Sequence, residues 1–309
     1  MDLIKVALAS PSPQAVQAMA GLRHICDALG PERTRTELLP YLTEEIVRGN
    51  VNDEALFAIA VALGRLPPRC AGDASLAGPA LLAPLRELMC VEDAATREAA
   101  VTSVRALGDE LPAAALAPHL TPLVLELGTH TDWHTPRVAA CGVLPLAYRA
   151  CAVLEAKALL GEAAEAEATS APAAPSELLP TLIHGGTGTL LTLFSRCAAD
   201  ESPRVRKAAA AELGELARAM IQSLGEGRPA TQATVAAALG PALGALLQDD
   251  SELVRVAAIG ASGPVLRCLE LDAADGVAHG VAHSGGPANS ARDQLLSAAR
   301  DKERAHTAR

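Results

Sequence analysis

Aromatic residues are scarce: one Trp, two Tyr and two Phe in 309 residues. Little β-branched or aromatic run is left of the kind strands require, which argues against a sheet-based core. Positive charge is not in excess. The net charge of −10 argues against a general nucleic-acid binder. No unbroken apolar stretch is long enough to span a bilayer, and Met1-Asp-Leu-Ile-Lys5 lacks the layout of a signal peptide. The seven cysteines are odd in number and scattered, with no Cys-x-x-Cys, so free buried thiols in a reducing compartment are expected. That points to the cytoplasm, with the nucleus also open to the chain.

Recognisable chemistry is lacking as well. His130 with His134, and His279 with His283, have no third ligand at a useful spacing, so no metal is expected. Gly185-Gly-Thr-Gly188 lacks the Lys-Ser/Thr of a phosphate loop. No Ser/His/Asp or Cys/His set suggests itself. No cofactor and no enzymatic activity are expected.

What is present is Ala, Leu and a repeat. Half of the chain is apolar, and Ala and Leu are strong helix formers whose small or flexible side chains suit close helix packing. The clearest unit runs from Asp200 to Met220. An acidic loop leads to Ser202 as N-cap and Pro203 at the first helical position, where a missing N–H costs nothing. Val205, Ala209, Leu213, Leu216 and Met220 then fall on one helical face. A close copy is Asp249-Asp-Ser-Glu-Leu-Val-Arg-Val-Ala-Ala258. Weaker copies are Glu92-Asp-Ala-Ala-Thr-Arg-Glu-Ala-Ala100 and Asp132-Trp-His-Thr-Pro-Arg-Val-Ala-Ala140. Each has an acidic loop followed by an Arg. Arg97, Arg137, Arg206 and Arg255 stand 40, 69 and 49 residues apart. Self-similarity near this period signals a helical solenoid: an all-α, right-handed superhelical stack of about six antiparallel helix pairs over residues 1–271.

Along the chain, two short helices are expected in 1–30, broken at Ser10-Pro-Ser-Pro13, with Val16, Met19, Leu22 and Ile25 on one face. Further helices are expected over Glu32–Arg48 (Leu38, Leu39, Leu42 and Ile46 inward), Asp53–Leu66, Pro79–Cys90, Ala94–Leu107, Leu116–Leu127 and Thr135–Tyr148. Residues 162–175 are low in complexity, lack large apolar side chains and are expected to be disordered. Helices over Leu178–Cys197 (interrupted at Gly185–Gly188), Ser202–Met220, Thr231–Leu247 and Glu252–Leu269 follow. Residues 272–309 read as a Gly- and His-rich tail, with one helix over Ser290–Arg304 as a cap for the sixth pair.

In the loops, Asp200 and Arg206, like Asp249 and Arg255, share a six-residue spacing. The Asp can accept from the Arg of its own repeat or of the neighbouring one. Arg97 and Arg137 have their acids five residues back. Trp133, the only Trp, sits in an acidic loop, either packed into the core or exposed as a binding residue.

Four segments, in order, carry a resemblance: Ala28 to Thr43, Leu88-Met-Cys-Val-Glu-Asp93 with Arg97, Asp132-Trp133 with Arg137 and Ala140-Cys-Gly142, and Asp200 to Ala217. Together they resemble the amino-terminal repeats of the scaffolding (structural A) subunits of protein phosphatase 2A, a HEAT-repeat family. The resemblance implies a non-catalytic scaffold whose intra-repeat loops hold a regulatory B-type subunit. Carried over by position, the partner-facing residues would be Glu92, Asp93, Asp132, Trp133, Glu201, Pro203, Asp249 and Asp250. Arg97, Arg137, Asp200, Arg206, Lys207 and Arg255 would brace the loops. It also implies that the catalytic subunit is held only if later repeats exist in a longer product. The first repeat departs from the family pattern, Lys207 replaces an Arg, and His134 replaces an aromatic. A tubulin-binding HEAT array is the rival reading; acidic loops argue against it, because tubulin is acidic too.

Overall fold

The computed structural model describes residues 12–166, 186–226 and 228–268, and all regular structure among these residues is helical. The chain divides into two compact units, Met1–Leu154 and Glu155–Arg309.

The first unit builds two layers of helices. Helices α1 (Ser12–Ala20) and α2 (Leu22–Leu29) lead into α3 over residues 31–47, in which a π-turn over Thr34–Leu38 joins Pro31–Arg33 to Leu39–Val47. Then come α4 (Asp53–Gly64), α5 (Ala74–Met89), α6 (Ala94–Glu110), α7 (Ala113–Gly128) and the start of α8 (His134–Ala166). α3, α5 and α7 pack in succession as one layer, and α4 packs on α6 in the other. Leu38, Leu39, Leu42 and Ile46 of α3 are buried as their spacing requires. Each fully buried Leu contributes on the order of 2 kcal/mol.

Helix starts in this unit are set by local carboxylates and amides. The Asn52 side chain accepts from Ala55 N at 2.9 Å, and Asp73 accepts from Ser75 N and Leu76 N. Close packing of the inner layer depends on Gly64. A Cβ there would collide with Ser103, whose hydroxyl donates to the Ala60 carbonyl at 2.7 Å.

The second unit contains α9 (Gly186–Ala198), α10 (Pro203–Leu224), α11 (Pro229–Leu247) and α12 (Glu252–Ala261). α10 packs on α12, and α9, α11 and α12 contact it or one another. Gly214 lets α10 approach the Ala261 carbonyl closely. Val205, Ala209, Leu213, Leu216 and Met220 are all buried, as their periodicity requires.

Several expected boundaries are corrected. Ser12 and Pro13 open α1, Ser10 and Pro11 of the expected break lie outside the described residues, and Cys26, not Ile25, completes the buried set with Met19 and Leu22, while Val16 is exposed. α5 starts at Ala74, with Pro79 and Pro84 inside it, because the Asp73 cap and burial of Ala77 and Leu81 outweigh the lost backbone bonds. α8 continues past Tyr148 to Ala166, so the first residues of the segment expected to be disordered are helical. Ala and Glu carry a helix well without large apolar partners. Residues 167–175 lie outside the described residues.

Gly186-Thr-Gly188 is helical, within α9, and the residues expected on the other side of the break, 178–185, lie outside the described residues. The buried Thr187 donates from N (3.0 Å) and Oγ1 (2.8 Å) to the Glu155 carboxylate. α12 ends at Ala261, since Pro264 has no N–H to bond the Gly260 carbonyl four residues back; a short helical stretch resumes over 263–268. Residues 1–11, 178–185, 272–309 and the expected helix 290–304 lie outside the described residues.

Among the described residues two helices, over His134–Ala158 and Pro229–Leu247, are long and apolar enough to cross a membrane by length and composition. Most of the first is buried inside the protein. In α11 the fully exposed positions are only Ala and Pro, while Val235, Leu239, Leu243 and Leu246 point inward. All seven cysteines are free thiols, five of them buried; burial pushes the Cys26 thiol up to about 11.

Candidate functional site

The repeated loops are built by one device. In the first unit, Arg97 stands one turn into α6, and its Nη1 turns back to donate to the carbonyls of Val91 (3.0 Å) and Glu92 (3.2 Å). Arg137, one turn into α8 and buried, donates from Nη1 to the carbonyls of His130 (2.8 Å) and Trp133 (3.2 Å). In the second unit, Arg206 Nη1 reaches the carbonyls of Asp200 (2.8 Å) and Glu201 (3.0 Å). Arg255 Nη1 reaches those of Asp249 (2.6 Å) and Asp250 (3.0 Å). A helix end leaves carbonyls without intrahelical partners, and the guanidinium supplies charged donors to the loop that follows them. The bracing partner is therefore the loop backbone, six and five residues back in three of the four cases.

This leaves the loop carboxylates to divide by role. Asp200 Oδ1 and Asp249 Oδ1 each accept from the backbone N of the serine two residues on, Ser202 and Ser251, both at 2.9 Å. Ser202 is the N-cap residue by position, but its side chain makes no cap bond; the Asp makes the turn instead. Asp249 also receives Arg206 Nε (2.6 Å) and Nη2 (3.0 Å). The side chains of Arg206 and Asp249 are only 19% and 8% exposed. The hydrogen bonds from Arg206 hold the Asp249 carboxyl below its usual range. Asp93 caps α6, accepting at 2.8 Å from both Thr96 N and Thr96 Oγ1, and those bonds lower its pKa.

Asp93 and Asp249, expected to face a partner, are thus half-buried and committed to the loop's own structure. Lys207, expected to brace a loop, is exposed and its side chain makes no hydrogen bond or ion pair among the described residues. Glu92, Asp132, Glu201, Pro203 and Asp250 are exposed, and Trp133 is 58% exposed. Trp133 is held by its backbone: its N–H donates to His130 Nδ1 at 3.3 Å and its carbonyl accepts from Arg137. The ring is therefore presented to solvent from a braced loop.

A further brace escaped the sequence reading. Arg86, near the end of α5, pairs with Glu126, near the end of α7; Arg86 Nε to Glu126 Oε2 is 3.4 Å. Arg149 and Asp109 pair at 3.4 Å. Both pairs span 40 residues. Opposite charges one repeat apart are the signal that would have found them.

The family model for the HEAT repeat matches residues 190–220, which include the loop braced by Arg206. The chain is 34% identical over 197 residues to a probable serine/threonine-protein phosphatase PP2A regulatory subunit of Caenorhabditis elegans, covering 64% of this chain and 27% of the relative. It is 32% identical over 197 residues to the serine/threonine-protein phosphatase PP2A 65 kDa regulatory subunit of Drosophila melanogaster, with the same coverage. It is 31% identical over 197 residues to a protein phosphatase 2A scaffold subunit of Dictyostelium discoideum, covering 64% of this chain and 28% of the relative. The chain spans about a quarter of the length of these curated relatives.

Proposed function

We propose, for a chain that is a HEAT-repeat protein related to the scaffold subunits of protein phosphatase 2A, a non-catalytic scaffold role in a phosphatase complex of that type. The loops would hold a regulatory B-type subunit. The observation that carries this reading is the bracing: four arginines fix four loop backbones, and exposed Glu92, Asp132, Trp133, Glu201 and Asp250 stand on those loops. A preordered loop loses little conformational freedom on binding, so its contacts are retained as affinity. An exposed Trp on such a loop has the character of an interface hot spot, and the surrounding carboxylates select a basic partner surface and speed encounter.

The repeats in this sequence would serve the regulatory subunit, and the catalytic subunit would be held by further repeats of a longer product. Location in the cytoplasm, or the nucleus as well, belongs to the same proposal. The test is a pull-down with purified regulatory and catalytic subunits offered separately to this chain. Retention of only the regulatory subunit is expected. Retention of only the catalytic subunit, or of neither, would overturn the assignment.

A further inference from the structure

The first unit carries a second surface, which meets the braced loops only at Asp93. A groove of about 830 Å³ lies between the α1–α2 segment and α4, floored by Met19, Leu22, Ala62 and Leu66. Its lips are Val16 of α1, 38% exposed, and Phe57 of α4, 43% exposed. Phe57 is one of only two phenylalanines; the other, Phe194, is fully buried. The open face of α4 runs Glu54, Phe57, Ala58, Val61, Arg65, a stripe at helical spacing. When the two helices are matched at their caps, Asn52 and Asp93, α6 carries Ala95, Glu98, Ala99 and Thr102 at the first four of these positions. The repeat does not impose this apolar face on every helix, although α12, matched at its cap Ser251, carries the exposed Leu253 and Val256 at the first two of these positions.

Charge divides the groove lengthwise. Asp53 and Glu54 open α4 at one end. At the other, Arg65 follows the last residue of α4. Arg23 stands at the start of α2, which packs against the short 3₁₀ turn Pro68–Ala71 just beyond. All four are exposed, and among the described residues none of their side chains makes a hydrogen bond or ion pair. The twelve residues of α4 separate the two clusters by roughly 18 Å, about three turns of helix.

We infer that this groove is a docking site for one amphipathic helix of a partner protein, with acidic residues in its first turn, large apolar residues at i, i+3, i+4 and i+7, and basic residues in its last turn. That charge order is the one a helix dipole itself favours. It fixes the direction: the acidic first turn meets Arg23 and Arg65, the basic last turn meets Asp53 and Glu54, and the bound helix lies antiparallel to α4. The apolar stripe covers Phe57, Val61 and Val16, the mode in which an amphipathic helix fills a groove through i, i+3, i+4 and i+7 side chains.

The probe is a fluorescein-labelled synthetic helix of about four turns with Glu in the first turn, Leu on the stripe and Lys in the last turn. A second peptide has the same stripe with the charged ends exchanged. Fluorescence anisotropy with the full chain should show the first peptide binding at least about tenfold more tightly than the second, since each end of the second meets like charge. Phe57→Glu, a change at an exposed position, should weaken the first peptide at least about tenfold while the circular dichroism spectrum stays unchanged. The combined variant Arg23→Glu, Asp53→Lys, Glu54→Lys and Arg65→Glu should reverse the preference between the peptides; because reversal requires binding, an unfolded variant cannot mimic it. Equal affinity for the two peptides, binding indifferent to Phe57→Glu, or no binding of the first peptide would overturn the inference.

Discussion

Arg206 and Asp249, 43 residues apart in sequence, meet through two hydrogen bonds of 2.6 and 3.0 Å. The same guanidinium uses its third nitrogen to hold the carbonyls of Asp200 and Glu201. Asp249 in turn orients Ser251 at the start of α12. One side chain thus fixes its own loop and ties it to the next. A lysine could not do this, because its ammonium lacks the planar fork that serves two carboxylate oxygens and a carbonyl at once.

Arg206→Ala should therefore destabilise the second unit by about 2 kcal/mol, since it leaves a largely buried carboxylate without its charged donors. Arg206→Lys should recover only part of that. Urea denaturation followed by circular dichroism measures both. A double-mutant cycle with Asp249→Ala should show a coupling of about 1 kcal/mol or more. Additive effects would remove the pair as a structural tie.

The pH dependence follows from the direction of the shift. The Asp249 carboxyl titrates lower in the folded state than in the unfolded chain. Its contribution is then fully present above its unfolded value, about 3.9, and is lost as pH falls through the folded value. The stability gap between the wild type and Asp249→Asn should be largest near neutrality and should close on acidification below about pH 4. Thermal denaturation of the two proteins across that range checks it; a gap that widens in acid has the wrong sign.

Gly64→Ala should cost about 1–3 kcal/mol, a penalty of the size overpacking imposes. The added methyl would strike the Ser103 side chain and backbone, so rotating the hydroxyl cannot relieve it. The loss should appear in the first unit's unfolding transition. A neutral substitution would mean that α4 and α6 can separate without penalty.

Thiol chemistry offers an independent check of the core. Five cysteines are buried and two, Cys90 and Cys151, are half-buried. Burial raises the thiols of Cys26 and Cys90, and little thiolate forms near neutral pH. Labelling of native protein with a thiol-reactive disulfide reagent should be slow, and Cys90 or Cys151 should react before Cys26, Cys141 or Cys197. Rapid release from all seven would contradict the packing.

What the sequence disclosed was mostly periodic. Leu38, Leu39, Leu42 and Ile46, and the stripe from Val205 to Met220, are buried because helical spacing leaves them no other face. Arginine positions at the repeated loops were legible for the same reason. Which groups those arginines hold was not, since periodicity gives the face a residue occupies but not the neighbour across the next loop. Asp93 looks like a free acid in sequence, yet a capping threonine takes it up, and of the two arginines open to Asp249 it is that of the neighbouring repeat, Arg206, that holds its carboxylate. Pro79 looks like a helix start, yet the Asp73 cap and burial of Ala77 and Leu81 carry helix through it. Local breaker rules yield where a tertiary contact supplies the missing partner.

The central claim is that the braced loops are a binding surface and not merely well-ordered connections. Calorimetric titration of a purified regulatory B-type subunit into the wild-type chain, and into the Trp133→Ala variant, tests it most directly. Trp133 is 58% exposed and offers the backbone, not the ring, to the loop's hydrogen bonds. The account predicts an unchanged helical spectrum and a Kd raised by about thirtyfold, equivalent to roughly 2 kcal/mol. Equal affinity for the two proteins, or no binding by the wild type, would contradict it.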